Sequence, residues 1–149
     1  MNRKQTERFI HKISPTKSIK IKYFSDISLV APLAETSYLD NTIFLNLAYL
    51  KTKKYMANRH VLIKAMLLHE IGHIEGRHCG LKSTQELEAQ LFAIRGAAKF
   101  KMWKIHRKSI YWLWTWGISK DFIFKNAYDL SLENDECKKY YKFCGYKIP

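Results

Sequence analysis

The sequence has few cysteines and no long apolar run. Cys79, Cys137 and Cys144 lack the paired spacing of a zinc ribbon, and an odd number of cysteines without an export signal favours reduced thiols. The amino terminus has no apolar stretch of signal-peptide length, and the aromatic run at residues 110–118 is too short to cross a bilayer. We therefore expect a cytoplasmic protein that is not embedded in a membrane.

Acidic residues are also scarce. The chain has 13 Asp and Glu and 26 Lys and Arg, which gives a formal net charge of +13. Such a charge favours encounter with acidic proteins, nucleic acid or a membrane surface. The lysines are scattered along the chain, so we expect at most a weak nucleic-acid contact through the basic surface. No repeat or linker divides the 149 residues, and 47% hydrophobic residues suffice for the core of a single domain.

An HExxH motif, HEIGH at residues 69–73, lies late in an apolar run. The pattern of residues 58–76 predicts one buried helix. Residues four apart share a helix face, so the imidazoles of His69 and His73 would project together and bind one zinc ion. Glu70 would then activate a water molecule as the nucleophile. The alternative is a core helix whose two histidines are hydrogen-bonded to neighbours. The predicted helix ends are Asn58, as the N-cap, and Gly76.

A second helix is predicted to begin at Ser83 and to supply a third ligand, Glu86. Two histidines and one carboxylate leave a coordination position open for water, as in catalytic zinc sites. Glu86 shares a face with small residues that let two helices approach closely, whereas Glu88, its rival, falls about 200 degrees away. Ser83 and Glu86 also form a capping-box pattern, and the alternative is that Glu86 reaches back to the Ser83 amide as a helix cap.

His78 and Cys79 are further rivals for the third ligand. An HExxH motif followed by Gly76 resembles the metzincins, whose third histidine comes three residues after that glycine. Position 79 is cysteine here, however, and His78 is one residue out of register. Three residues are candidates to stabilise an oxyanion: His78, Tyr111 and His106.

The pattern before the motif predicts a helix at residues 3–13 and a small antiparallel sheet. Its strands are expected at residues 18–24, 37–39 and 42–47, and Asp40-Asn41 between the last two suits a tight turn. If residues 42–46 form an edge strand, an extended peptide can pair with it; the alternative is an interior strand.

The sequence pattern of the carboxyl half predicts a helical bundle. The aromatic segment at residues 108–116 favours core packing, although one flank could form a pocket. Gly117 is expected to break this segment. Ser119 can cap a helix at residues 120–130, and a last helix is expected at residues 131–143.

HEIGH, a short loop and ELEAQLFA in a small, helix-rich chain resemble the ImmA/IrrE zinc metallopeptidases, in particular small forms encoded by phages and mobile elements, over residues 18–146. In that family the HExxH histidines and the Glu of an ExxA segment bind zinc, so the resemblance places the third ligand at Glu86. It implies an α+β, minimal gluzincin-like domain over residues 1–149, with a hairpin sheet on the metal helix. It also implies an endopeptidase whose substrate is a repressor-type regulatory protein. Two tail segments match as well: Trp116-Gly117-Ile118-Ser119 and Tyr140-Tyr141.

Two features depart from the family. Leu-x-x-Pro often closes the ExxA helix, and residues 96–99 read Gly-Ala-Ala-Lys here; we also expect no amino-terminal DNA-binding domain of the kind that some members have. The alternative function is a non-catalytic basic protein that binds DNA or a regulator, with a structural or vestigial zinc site. A repair protease resembling the SprT group is a third reading, which the lack of a CxxC zinc ribbon disfavours.

Overall fold

The computed structural model describes residues 1–28, 32–50, 59–78, 83–119 and 121–123, together with residues 125, 138, 139 and 142. Within these residues the chain forms three strands and five helices, which confirms the predicted α+β class. In chain order the elements are α1 (Arg3–Ile13), β1 (Lys20–Phe24), β2 (Ala34–Ser37), β3 (Thr42–Asn46), α2 (Leu47–Leu50), α3 (Arg59–Gly76), α4 (Ser83–Lys99) and α5 (Trp103–Thr115).

The three strands form one mixed sheet in the order β1-β3-β2. β2 and β3 are an antiparallel hairpin, with Thr36 opposite Ile43, but β1 runs parallel to β3, with Ile21 opposite Ile43. The prediction of a wholly antiparallel sheet is therefore wrong. The connection at residues 25–41 is long enough to return the chain to the start of the sheet, as a parallel pair requires.

The hairpin turns at Asp40-Asn41 and β3 begins at Thr42, as predicted, but β2 lies three residues earlier than predicted. β2 ends at Ser37 and the turn covers residues 38–41, so Leu39 is not in a strand and is 83% exposed. Asn41 has a φ of 51°, a left-handed conformation that asparagine tolerates. β3 pairs on both sides, so of the two alternatives for residues 42–46 the interior strand is the one that the structure has, and β1 and β2 are the edge strands.

α3 is the central helix of the fold. Most of its residues from Leu62 to Ile74 are buried, because it packs against the sheet, α1, α4 and α5. α1 begins and ends where predicted, and Asn2 caps it by accepting from the Gln5 backbone N–H at 2.9 Å. The sheet and α3 share one apolar core that includes Ile43 and Leu45.

α3 and α4 approach closely at Gly72. A Cβ at this position would meet the Ala89 carbonyl oxygen at 2.8 Å and the Ala89 Cα at 2.9 Å. Ala89 and Ala93 are fully buried, as expected for the small face of the second helix. This contact sets the separation between the helix of the two histidines and the helix of Glu86.

Substituting Gly72 with alanine should destabilise the fold by about 1–3 kcal/mol, since the methyl group meets backbone atoms that cannot rotate away. Urea unfolding followed by circular dichroism measures the change. Gly96→Ala is the matched control, because its Cβ would meet only the flexible Leu68 side chain, at 3.3 Å. Equal stability of the two variants would contradict the tight α3–α4 contact.

The aromatic segment lies on α5 and just beyond it. Tyr111, Trp114 and Trp116 are 44%, 50% and 47% exposed, so the prediction of core packing is wrong for these three. The helical period turns Ile110 and Leu113 inward instead.

The described chain continues only a short way beyond α5. Gly117 follows the helix with a φ of 78°, and Ser119 Oγ accepts from the Phe122 N–H at 3.2 Å, in agreement with a cap at Ser119. The predicted cap Asn58, the helices predicted over residues 120–130 and 131–143, the Tyr140-Tyr141 match and the three cysteines lie wholly or mainly outside the described residues. No helix in the described ranges is both long and apolar enough to cross a membrane.

Candidate metal centre

Two neighbouring helices bring the side chains of His69, His73 and Glu86 together. The Nε2 atoms of His69 and His73 are 3.0 Å apart. Glu86 places Oε2 3.1 Å from His69 Nε2 and Oε1 3.3 Å from His73 Nε2. Bonds of about 2.0–2.2 Å to one tetrahedral ion would separate such ligands by roughly 3.3–3.5 Å. The three residues thus form a group that could hold a metal ion.

Gln90 fixes the tautomer of His69. The Gln90 amide donates through Nε2 to the Ser109 carbonyl at 2.8 Å, so its Oε1 faces His69 Nδ1, also at 2.8 Å. An amide oxygen can only accept, and the proton of a neutral His69 therefore resides on Nδ1. This leaves an unprotonated Nε2 aimed at His73 and Glu86, as a metal ligand requires.

The charges of the group suit a cation. Burial lowers the pKa of His69, but the Glu86 hydrogen bond and the charges of Glu70 and Glu86 outweigh it, so the net direction is upward. Burial and neighbouring His69 lower the pKa of His73 to about 4. The hydrogen bond to His69 lowers the pKa of the Glu86 carboxyl. An ionised carboxylate beside a neutral imidazole is what a divalent cation needs from its ligands.

Glu70 lies beside the metal-binding group and is held by the sheet. The Thr36 hydroxyl on β2 donates to Glu70 Oε2 at 2.5 Å. Burial raises the pKa of the Glu70 carboxyl, against the opposing effects of His69 and Thr36. A carboxylate with a raised pKa is a stronger proton acceptor once ionised.

All four of these side chains open onto one cleft of about 800 Å³. β2 forms one wall, and Trp112 and Trp116 form part of another. Although the chain carries a net charge of +13, the described lining residues include three glutamates and no lysine or arginine. The cleft is therefore a local site for a cation on a basic protein. Its lining residues are Pro32, Leu33, Ala34, Glu35, Thr36, Met66, His69, Glu70, His73, His78, Glu86, Gln90, Trp112 and Trp116.

Neither Glu88 nor His78 belongs to the metal-binding group. Glu88 contacts His78 at 2.9 Å instead of the metal-binding group, and Cys79 lies outside the described residues. Of the three oxyanion candidates, only His78 lines the cleft. His106 is fully buried and bonds the Ile94 carbonyl at 2.9 Å, while Tyr111 is on the exposed side of α5.

Reasoning from the sequence missed two residues that contact the site, Thr36 and Gln90. Gln90 could have been found, because it lies one helical turn after Glu86 on the same face. No local signal marks Thr36, since its contact with Glu70 depends on how β2 packs against α3. In the sequence Trp116 was noted only as a member of an aromatic cluster. In the structure it lies at the site, with its ring centroid 6.0 Å from that of His69.

No protein-family model, curated protein or solved structure matches this chain. Its function is therefore inferred from its own residues and from the geometry of the cleft.

Proposed function

We propose that this protein is a cytoplasmic, zinc-dependent endopeptidase. The observation that carries the proposal is the convergence of His69, His73 and Glu86 in an open cleft, with Glu70 beside them. Two histidines and a carboxylate are a ligand set of catalytic zinc sites. The resemblance of HEIGH and ELEAQLFA to the ImmA/IrrE peptidases supports the same activity.

His69, His73 and Glu86 would hold the zinc ion. When bound, zinc supplies a Lewis acid that lowers the pKa of water and polarises the carbonyl group to be cleaved. Gln90 holds the proton of a neutral His69 on Nδ1, so the neutral ring needs no tautomer change to become a ligand through Nε2. The depressed pKa of His73 acts in the same direction, because a protonated imidazole cannot be a ligand.

Glu70 would act as the general base and then as the general acid. Its carboxylate accepts the proton of the attacking water and passes it to the amine that leaves as the peptide bond breaks. The Thr36 hydroxyl holds Oε2, which limits rotation of the carboxylate and keeps it directed into the cleft. Products of the reaction are a new carboxyl terminus and a new amino terminus.

The substrate would pair with β2 as an added strand. In the β2–β3 ladder the Asn46 N–H donates to the Leu33 carbonyl at 2.9 Å. Because an antiparallel ladder alternates, the backbone groups of Ala34 and Thr36 point to the opposite edge, which forms a wall of the cleft. An extended peptide could bond to both residues next to Glu70. Peptide addition, considered for residues 42–46 if they formed an edge strand, is thereby proposed for β2 instead.

A peptide library treated with the zinc-loaded protein and read by mass spectrometry tests this proposal. The best cleaved peptide is then resynthesised with one N-methylated amide at a time. Strand addition predicts that methylation at alternate positions reduces cleavage, by about five- to tenfold for each hydrogen bond lost. Uniform tolerance of N-methylation would contradict binding along β2, and absence of cleavage from every peptide would count against the peptidase.

The resemblance to ImmA/IrrE peptidases extends the proposal to a substrate class, a repressor-type regulator of a phage or mobile element. Co-expression of the chain with the regulator encoded beside it should yield a truncated regulator on a gel. A regulator that is bound but stays intact, with steeply salt-dependent DNA binding, would favour the non-catalytic basic protein instead.

A further inference from the structure

The end of α3 is built so that His78 folds back against the helix. The Arg77 N–H bonds the Ile74 carbonyl at 3.2 Å and the His78 N–H bonds the His73 carbonyl at 2.9 Å, the pair of bonds of a Schellman motif. Arg77 occupies the left-handed position of the motif with a φ of 52°, where glycine is the usual residue. The turn reverses the chain and brings His78 close to His73, five positions before it.

Gly76 provides the space for the His78 ring. A Cβ at Gly76 would lie 2.2 Å from His78 Nε2 and 2.6 Å from Cε1, so any larger residue would displace the ring. The His78 ring occupies this space, and only 9% of the residue is exposed. The glycine that ends the helix therefore also seats a histidine.

His78 links the surface residue Glu88 to His73. Glu88 Oε2 lies 2.9 Å from His78 Nε2, and His78 Nδ1 lies 3.0 Å from His73 Nδ1. A carboxylate only accepts, so Nε2 of a neutral His78 carries the proton and its Nδ1 is an acceptor. His73 must then donate from Nδ1, which leaves its Nε2 unprotonated and directed at His69 and Glu86.

We propose that Glu88 and His78 are positioning residues that fix the ring and tautomer of His73 for a metal ion, as Gln90 does for His69. The inference rests on the proposed metal site and assigns a function to two residues that are not ligands. His78 contacts the side of the His73 ring opposite the group of His69 and Glu86, so it acts through His73. Loss of such an outer partner weakens metal binding by roughly 10- to 100-fold.

Zinc affinity of His78→Leu and His78→Asn, measured by competition with a chromophoric chelator at one pH, tests the proposal. Leucine removes the acceptor, so zinc affinity should fall by roughly 10- to 100-fold. Asparagine can accept from His73 through Oδ1, so His78→Asn should recover most of the affinity. Circular dichroism of both variants checks that the fold is retained, and Glu7→Gln, an exposed residue paired with Arg3, is the control.

Imidazole N–H signals in the NMR spectrum of the zinc-loaded protein supply a readout that a purely structural residue would not change. The wild type should show slowly exchanging Nδ1–H protons for His69 and His73. In His78→Leu only the His73 proton should lose its protection, and His78→Asn should restore it. Glu88→Gln should weaken zinc affinity by less than about fivefold, since the Glu88 side chain is 67% exposed.

Unchanged zinc affinity and unchanged His73 protection in His78→Leu would overturn the proposal. Complete loss of zinc from both His78→Leu and His78→Asn would also overturn it, because His78 would then be a ligand. Failure of the wild type to bind zinc is a separate result, which would reject the proposed function and the inference built on it. Gly76→Ala should reproduce the loss seen in His78→Leu, whereas Gly96→Ala should not.

Discussion

Replacing Glu86 with alanine should abolish stoichiometric zinc binding and leave the helices folded. Glu86 contributes two oxygens to the metal-binding group but little to packing, because the α3–α4 contact is made by Gly72, Ala89 and Ala93. Structural zinc sites with four ligands bind with about 10–16 kcal/mol, or roughly 3 kcal/mol for each ligand. The affinity should therefore fall by about 100-fold or more.

Metal analysis after dialysis and chelator competition measure the loss in Glu86→Ala, and circular dichroism confirms the helices. Glu88→Ala is the comparison variant for the rival ligand on the same helix, and because Glu88 acts only through His78 it should weaken zinc affinity by less than about fivefold. It should keep one zinc per chain at saturating metal. Full zinc occupancy in a folded Glu86→Ala protein would show that Glu86 is not the third ligand.

Replacing Glu70 with glutamine should remove hydrolysis and preserve zinc binding. The amide keeps the size of the side chain and can still accept from the Thr36 hydroxyl, but it cannot take a proton from water. Loss of a general base costs about 10²- to 10⁴-fold in rate. The value of kcat/KM for the best library peptide should fall by this factor, with zinc affinity within a few-fold of the wild type.

Glu75→Gln is the control for Glu70→Gln. Glu75 is on the same helix, but its carboxylate faces α1, where Ser14 Oγ donates to it at 2.6 Å. The same loss of charge there should leave kcat/KM nearly unchanged. If Glu70→Gln cleaved the peptide at the rate of the wild type, the general base would have to be another residue.

The convergence of the metal-binding group could be predicted because most of it is local. His69 and His73 are one turn apart on a single helix, which fixes their relation without knowledge of the fold. Glu86 required one further step, the inference that small side chains let two helices approach, and Ala89 against Gly72 makes that contact. The face of Gln90 follows from its place one helical turn after Glu86, but the hydrogen bond of His78 could not be predicted, because it depends on a ring position set by the turn after α3.

The sheet could be predicted only in part, since strand order is a property of the whole chain. Alternating residues indicated strands at residues 18–24 and 42–47, close to the observed β1 and β3, but did not show that β1 joins β3 in parallel. β3 is therefore the interior strand and β2 an edge strand, and the short polar sequence of β2 gives a weak strand signal. The contact of Thr36 with Glu70 could not be predicted either, because Thr36 lies on β2.

The position of β2 has a consequence for self-association. The free edge of an outer strand invites pairing with a second molecule, which can lead to aggregates. β2 has only four residues, carries the charged Glu35, and lines the inside of a cleft. One extended peptide fits into this cleft more easily than the sheet edge of a second folded molecule does. The cleft that would admit a peptide therefore also disfavours edge-to-edge pairing of two native molecules.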